Sequence, residues 1–392
     1  MKAFITTNKY LEKISEIEIK ELINCQNFEI YESVVSFDIK NYVELAKITY
    51  YSQSINRACL LLEKFKIEEN KEINNLFKKI EKKIEEINFL NLKELINNKS
   101  FKVECERHGN HDFKSTDIEI LVGKKLNNIF KDINIKNNVD YDNPEVIFFF
   151  YIYNEYCFFG LDFSGFDLSK RQYKIFNHPE SLKGNVAYSL IRLSEFKKND
   201  FLLDPFMGSG TIVIEAALYA TGFPVQYYNK DKLAFTRLIN TKLFDKEKEK
   251  IENIKEKKTN IYGYDYQMKY LKAAQKNAKL AGIDKTINLS RCEIEWLDTK
   301  IKEKSFDFII TDMPRYSKNK PEKEYEKLYD EFFYQAKYIL KNKGRIVLLT
   351  KENEILKKSS EKHNFKIVNK YFVSQGQEVF DVFCFEKEIR QN

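Results

Sequence analysis

The chain has 392 residues and a mass of 46.8 kDa, enough for two or three domains. Hydrophobic residues make up 43% and charged residues 32%, which excludes a wholly disordered chain. The most apolar run, Val146 to Tyr153, is far short of the roughly 20 residues that span a bilayer, which argues against a membrane protein. The opening MKAFITTNKY has no apolar signal region and no small-residue cleavage site, so a cytoplasmic location is expected. Six scattered cysteines without a CxxC pair suit reduced thiols better than a disulfide framework or a zinc ribbon. A net charge of +7 admits a nucleic-acid partner without requiring one. Runs such as KEINNLFKKIEKKIEEIN read as solvated helix faces.

In chain order, AFITTN and FEIYESVVSF read as strands, and LEKISEIEIKELI and NYVELAKITYY as amphipathic helices. INRACLLLEKF is another apolar element, and the Lys/Glu-rich helix follows it. Next come a strand at FKVECER, a helix at TDIEILVGKKLNNIF and a pair of runs, VIFFFYIY and EYCFFGLDFSG. The dipeptide Asn154-Glu155 between that pair suits a tight hairpin. This first half predicts an α+β region with antiparallel sheets.

From about Glu180 the rhythm becomes strand, helix, strand, helix. FLLDPF, NIYGYD, TINLSRCE, SFDFIITD and GRIVLLT are the strands, separated by TIVIEAALYA, QMKYLKAAQKNAKLAG and a helix through YEKLYDEFFYQAKYIL. FKIVNKYFV and EVFDVFCFE close the chain as an antiparallel pair. Such alternation predicts a doubly wound parallel sheet, with ligands beyond the carboxyl ends of its strands.

The first of these strands ends in Asp204, followed by Pro205-Phe206-Met207-Gly208-Ser209-Gly210-Thr211. Gly208 and Gly210 permit left-handed backbone and close approach of a ligand. Thr211 opens a helix whose free N–H groups favour negative charge. An acid beside a helix start suits a zwitterion, such as the methionine end of S-adenosylmethionine. Asp265, ending the second strand, is placed to accept ribose hydroxyls or to cap the next helix. Glu293, after the third strand, is a candidate for the adenine amine, with Cys292 and Ile294 as competing registers. The fourth strand ends Thr311-Asp312-Met313-Pro314-Arg315-Tyr316. Asp312 and a carbonyl held by Pro314 suit an exocyclic amine: accepting its two protons turns the lone pair toward an electrophilic methyl. An ordinary turn is the plain alternative for that segment.

The segments DPFMGSGTIVIEAA, GYD…AAQKNAKLAG and TDMPRY together resemble the THUMP-domain-containing RNA guanine-N2 methyltransferases. FKVECERHGNHDF and FFGLDFSGFDLSKRQYK resemble a THUMP domain and its exit, and HPESLKGNVAYSLIRL resembles the segment that packs over the cofactor. The resemblance covers most of the chain and is greatest for enzymes that act on guanosine 6 of the tRNA acceptor stem. It implies a ferredoxin-like domain over residues 1–95, a THUMP domain over 96–168 and a Rossmann-like methyltransferase domain over 169–392. It also implies that Asp204, Gly208, Gly210 and Thr211 bind S-adenosyl-L-methionine at its methionine end, with Asp265 on the ribose, Glu293 on the adenine and Phe206 also in the cofactor site. Asp312 and Pro314 then position the target amine. The family's stacking aromatic is replaced by Arg315, so either its guanidinium plane or Tyr316 covers the base. Met207 stands where the family usually has cysteine.

For RNA, the basic strip Arg107, Lys170, Arg171 and Lys174, interleaved with Tyr173, suits backbone contacts and stacking. His108 and His111 lack a third ligand at metal spacing, so no metal is expected. The reading is thus an S-adenosylmethionine-dependent tRNA guanine-N2 methyltransferase. Its rivals are a 23S ribosomal RNA guanine-N2 enzyme and a non-catalytic RNA-binding protein that kept the fold.

Overall fold

The computed structural model describes residues 1–67, 73–245, 251, 253–254, 257–315, 321–351 and 353–388. The chain divides into two compact units. One comprises residues 1–7, 15–168 and 229–246, the other residues 8–14, 169–228 and 247–392. No helix among the described residues is long and apolar enough to cross a membrane.

The first unit begins β1 (Lys2–Thr7), α1 (Glu12–Ile23), β2 (Phe28–Tyr31), β3 (Val34–Asp38), α2 (Tyr42–Tyr51) and β4 (Ile55–Lys66). These strands pair antiparallel in the order β2-β3-β1-β4, a ferredoxin-like arrangement. FEIYESVVSF, expected as one strand, is a hairpin. Its chain reverses at Glu32-Ser33, where Ser33 takes a φ of 62°, so Ile30 pairs with Val35. α2 starts at Asn41, whose side chain accepts the Glu44 N–H at 3.1 Å.

There follow α3 (Ile73–Glu85), β5 (Lys99–His108), α4 (Ser115–Asp132), β6 (Asn137–Val139), β7 (Val146–Tyr153) and β8 (Tyr156–Asp162). The Asn154-Glu155 hairpin forms as read, with Asn154 at φ 49°. β4 pairs with β8, so residues 1–95 and 96–168 contribute to one eight-stranded sheet, β2-β3-β1-β4-β8-β7-β5-β6. That sheet is not wholly antiparallel, as the sequence suggested. β5 runs parallel to β6 and β7, because α4 carries the chain across the sheet between them. β7 reads as an unbroken apolar run because it is central, between β8 and β5, and buried along nearly its whole length.

The second unit holds α5 (Gly184–Leu193), β9 (Leu202–Asp204), α6 (Thr211–Thr221), β10 (Ile261–Asp265), α7 (Met268–Ala281), β11 (Asn288–Arg291) and β12 (Phe306–Asp312). It ends with α8 (Glu322–Ile339), β13 (Leu340–Thr350), α9 (Asn353–Lys362), β14 (Phe365–Gln375) and β15 (Glu378–Lys387). The sheet order is β11-β10-β9-β12-β13-β15-β14; the first five strands are parallel and β15 is antiparallel to both its neighbours. The chain winds outward from β9 to β11, then returns to add β12 on the other side. The switch point therefore lies between β9 and β12. Helices α6 and α7 end at Gly222 and Gly282 in left-handed caps, φ 73° and 76°.

Residues 8–14 give Leu11 and Ile14 to the core of this second unit. Asn8 donates to the Ser374 carbonyl at 2.7 Å and accepts from Asn185 at 3.0 Å. Conversely, residues 229–246 belong to the first unit: Phe235 N donates to the Phe163 carbonyl at 3.0 Å, and the rings of Phe244 and Tyr50 lie 5.4 Å apart.

Candidate active site

Three carboxylates end three adjacent strands: Asp265 on β10, Asp204 on β9 and Asp312 on β12. All three line one cleft of about 180 Å³, together with Phe206, Gly208, Thr211, Pro314 and Arg315. Asp204 is 1% exposed, and its Oδ1 accepts from Thr311 Oγ1 at 2.7 Å and Phe206 N at 3.1 Å. Burial pushes its carboxyl up to about 8 against the pull of those two bonds, and Asp312 and Asp265 add to the rise. Asp265 accepts Gln267 N at 2.8 Å and Gly208 N at 3.1 Å, one on each oxygen. Burial raises its pKa too. A carboxylate has about four lone-pair sites, so two remain on Asp265 for hydroxyl donors.

Gly208, at φ 51°, turns its backbone toward the cleft. Gly210 has another task. It is the N-cap of α6 at φ 86°, and an added Cβ would lie 2.9 Å from that of Ala274 on α7. It sets the approach of two helices and is not among the lining residues. Glu293 does not line the cleft either. Its side chain is 49% exposed, 3.5 Å from Arg291 Nη2, and Tyr266 and Gln267 form the wall after β10.

At the other end, burial pushes the Asp312 carboxyl up to about 7; the Arg315 guanidinium opposes this and Glu180 adds to it. Among the described residues, Asp312 Oδ1 is buried without a hydrogen-bond partner, as are Nε and Nη2 of Arg315. The guanidinium lies 4.6 Å from the Phe380 ring centre, with Nη2 3.6 Å from Asp312 Oδ2 and Nη1 4.0 Å from Glu378. The Pro314 carbonyl accepts from Tyr329 Oη at 3.5 Å. Tyr316 lies outside the described residues.

The segment before α5 roofs the glycine turn. Its role as a whole was expected; its lining residues were not. His178 lies 3.6 Å from where a Gly208 side chain would begin and packs edge-on against Tyr270, ring centres 4.4 Å apart. Ser181 Oγ is 3.2 Å from both Ser209 Oγ and Thr211 Oγ1. Asn277 of α7 clamps this strap: it accepts Phe176 N at 3.1 Å and donates to the carbonyls of Phe176 and Ser209 at 2.9 and 3.0 Å. The available signal was the polar HPES run directly before the apolar helix GNVAYSLIRL.

Two residues expected at the RNA surface are internal. Arg171 is 5% exposed and grips Glu215 of α6 with two bonds, Nε to Oε1 at 2.8 Å and Nη2 to Oε2 at 3.1 Å. Tyr173 is buried and donates to the same carboxylate at 2.6 Å. Glu215 is the acid of an almost wholly buried helix and needs cationic partners from the chain beside it. Lys174 is partly buried and donates to the Leu182 carbonyl; Lys170 is exposed. Arg107, in the first unit, packs over Phe113 at 5.7 Å and donates to His111 Nδ1 at 3.2 Å. Because the Arg171–Glu215 pair is buried, Glu215→Ala should cost about 3–5 kcal/mol in urea unfolding by stranding the guanidinium. Arg171→Ala should cost a similar amount, and the double variant less than the sum.

A doubly wound sheet with an acid and glycine turn after its first strand, and a second acid ending the next, defines an S-adenosylmethionine-dependent methyltransferase. The RMKL-like methyltransferase domain matches residues 171–379, and the THUMP domain matches residues 71–162. The chain is 34% identical over 392 residues to the tRNA (guanine(6)-N2)-methyltransferase of Methanocaldococcus jannaschii, covering 98% of this chain and 99% of that one. It is 28% identical over 284 residues to the enzyme of the same name from Archaeoglobus fulgidus, covering 72% and 68%. The crystal structure of TrmN from Thermus thermophilus shares the fold, with a TM-score of 0.72, 23% identity and 99% of both chains covered. The chain belongs to the THUMP-domain-containing RNA guanine-N2 methyltransferases, with a methyltransferase domain of the RMKL-like family.

Proposed function

We propose that this enzyme methylates the exocyclic N2 of guanosine 6 in the acceptor stem of tRNA, in the cytoplasm. One observation carries the chemistry: Asp312, at the switch-point end of β12, is buried in the same cleft as Asp204 and Asp265, with an acceptor oxygen that has no partner among the described residues. The name and full-length similarity of the Methanocaldococcus jannaschii relative support the position.

S-adenosylmethionine fits the remaining residues, since buried carboxylates at Asp204 and Asp265 gain from a cation and from hydroxyl donors respectively. When bound, it supplies a methyl group made electrophilic by a sulfonium. Asp204 then faces the ammonium, while the start of α6 at Thr211 favours the carboxylate. Gly208 keeps the turn open, Gly210 sets the helix start, and Phe206 forms a wall. Asp265 takes the ribose hydroxyls, and Glu293 is assigned to the adenine amine. Asp312 and the carbonyl beside Pro314 accept the protons of the guanine amine, which turns its lone pair outward; Arg315 or Tyr316 covers the base. Residues 1 to about 168 dock the RNA, with Arg107 on the backbone. Because guanosine 6 is paired, its base leaves the stack first, at a cost of a few kcal/mol offset in the pocket.

An unmodified tRNA transcript with guanosine at position 6 tests this. Nucleoside mass spectrometry after incubation should find N2-methylguanosine, and a transcript with adenosine at that position should gain no methyl. Methylation at another position, or a preference for ribosomal RNA, would overturn the assignment.

A further inference from the structure

A second groove of about 530 Å³ opens next to the catalytic cleft and shares His178 and Ser181 with it. Its charge is of the opposite kind. Among the described residues, the cleft is lined by four acids, Glu180, Asp204, Asp265 and Asp312, with Arg315 as its one arginine or lysine. The groove is lined by Lys170, Arg171, Lys174 and Lys183, with no acid among the described residues. Glu215 neutralises Arg171 from within, so three lysines carry the net charge. Among the described residues, neither Lys170 nor Lys183 forms an ion pair. Lys174 gives one hydrogen bond to a carbonyl, and an ammonium has three donors. Burial pushes Lys174 down to about 8, with Arg171 and Lys183 adding to the fall. Asn177, Ser169 and Ser181 add neutral hydrogen-bonding groups to the wall.

A cluster of four cations with Glu215 as its buried counter-charge keeps a net positive charge, and beside a site that must grip an extruded nucleotide it has a natural occupant. We propose that this groove binds the backbone phosphates flanking the target guanosine, so that the strap over the cofactor also holds the RNA. The inference rests on the RNA-methylating reading and adds to it the place where the strand is held. The acidic cleft would repel phosphate and favours the base and the cationic cofactor; the basic groove does the reverse. Phosphate contacts of this sort fix register without reading sequence. Exposed Phe176 and Ile175 lie on the same strap.

The test uses the full chain with Lys170→Gln and Lys183→Gln together, since both are removed from the reacting groups. Binding of the unmodified tRNA transcript is measured by fluorescence anisotropy between about 50 and 200 mM salt. Each lost phosphate contact lowers the slope of log K against log salt by about 0.7–0.9, so the double variant should be shallower by about 1.5. The KM for tRNA should rise at least tenfold, with S-adenosylmethionine affinity unchanged by calorimetry. A slope and KM equal to those of wild type would overturn the groove assignment. The binding slope does not depend on which atom is methylated, so product analysis judges the guanine-N2 reading separately. A wild-type protein that binds no RNA would overturn both.

Discussion

Asp312→Ala should lower kcat by about 10²-fold or more, with tRNA and cofactor affinities close to those of wild type. The exocyclic amine of guanine is a weak nucleophile because its lone pair is delocalised into the ring. Acceptors aimed at its protons act mainly once the nitrogen begins to pyramidalise, so their removal falls on kcat and not on binding. Asp312→Asn keeps one acceptor oxygen and should retain more activity than the alanine variant. The pH profile carries a second check. Burial raises the Asp312 carboxyl to about 7, so the accepting carboxylate is lost as pH falls through neutrality. The kcat/KM for tRNA should therefore rise with pH through about 7 in wild type, and this limb should disappear in Asp312→Asn. Wild-type turnover in Asp312→Ala, or a methyl group found on a ring carbon or a ribose, would sink the mechanism.

Asp204→Asn should weaken cofactor binding while making the protein more heat-stable. The affinity loss follows from removing a charge-assisted hydrogen bond, worth roughly 1.5–3 kcal/mol, or about 10- to 150-fold in Kd. The stability gain follows from burial. The native carboxyl has its pKa raised to about 8, whereas an unfolded aspartate titrates near 3.9. Between those values the folded chain binds the proton more tightly than the unfolded one, so stability falls as pH rises through that window. Asparagine has no charge to bury and can still accept from Thr311 and Phe206 through its oxygen. The difference in Tm, variant minus wild type, should grow from pH 5 to pH 8. Each kcal/mol is worth about 2–4 °C for a domain of this size. A constant difference, or calorimetry showing unchanged affinity, would remove Asp204 from its assigned role.

Much of this site was legible because its chemistry falls where strands end. Alternating apolar runs located β9, β10 and β12, and the acid closing each run marked the edge where ligands collect. Gly208 and Asp265 could be placed by spacing alone. What escaped was whatever depends on residues far apart in sequence. Arg171 and Tyr173 look like a basic, aromatic surface strip until Glu215 is brought beneath them, 44 and 42 residues away. Gly210 reads as a ligand-binding glycine, but a side chain there would meet Ala274, a residue of another helix. The apolar composition of β7 was plain, whereas its parallel partner β5 depended on the path taken by α4. The Glu32-Ser33 turn escaped because neither residue carries the glycine or asparagine signal of a tight hairpin.

The exchange of segments between the two units bears on how the chain is made. During synthesis, residues 8–14 are made well before the residues after 168 that build the core receiving Leu11 and Ile14. The first unit in turn waits for residues 229–246, which bring Phe235 and Phe244. The first unit therefore cannot finish at residue 168, as an N-terminal domain made in one piece would. A nascent chain stalled before residue 229 therefore holds two incomplete cores, and a fragment cut at 168 carries the catalytic residues without the seven-residue segment that helps to fill their core. The first unit has all its residues only once residue 246 is made, well after the strands of its sheet, and the second only once β15 is made.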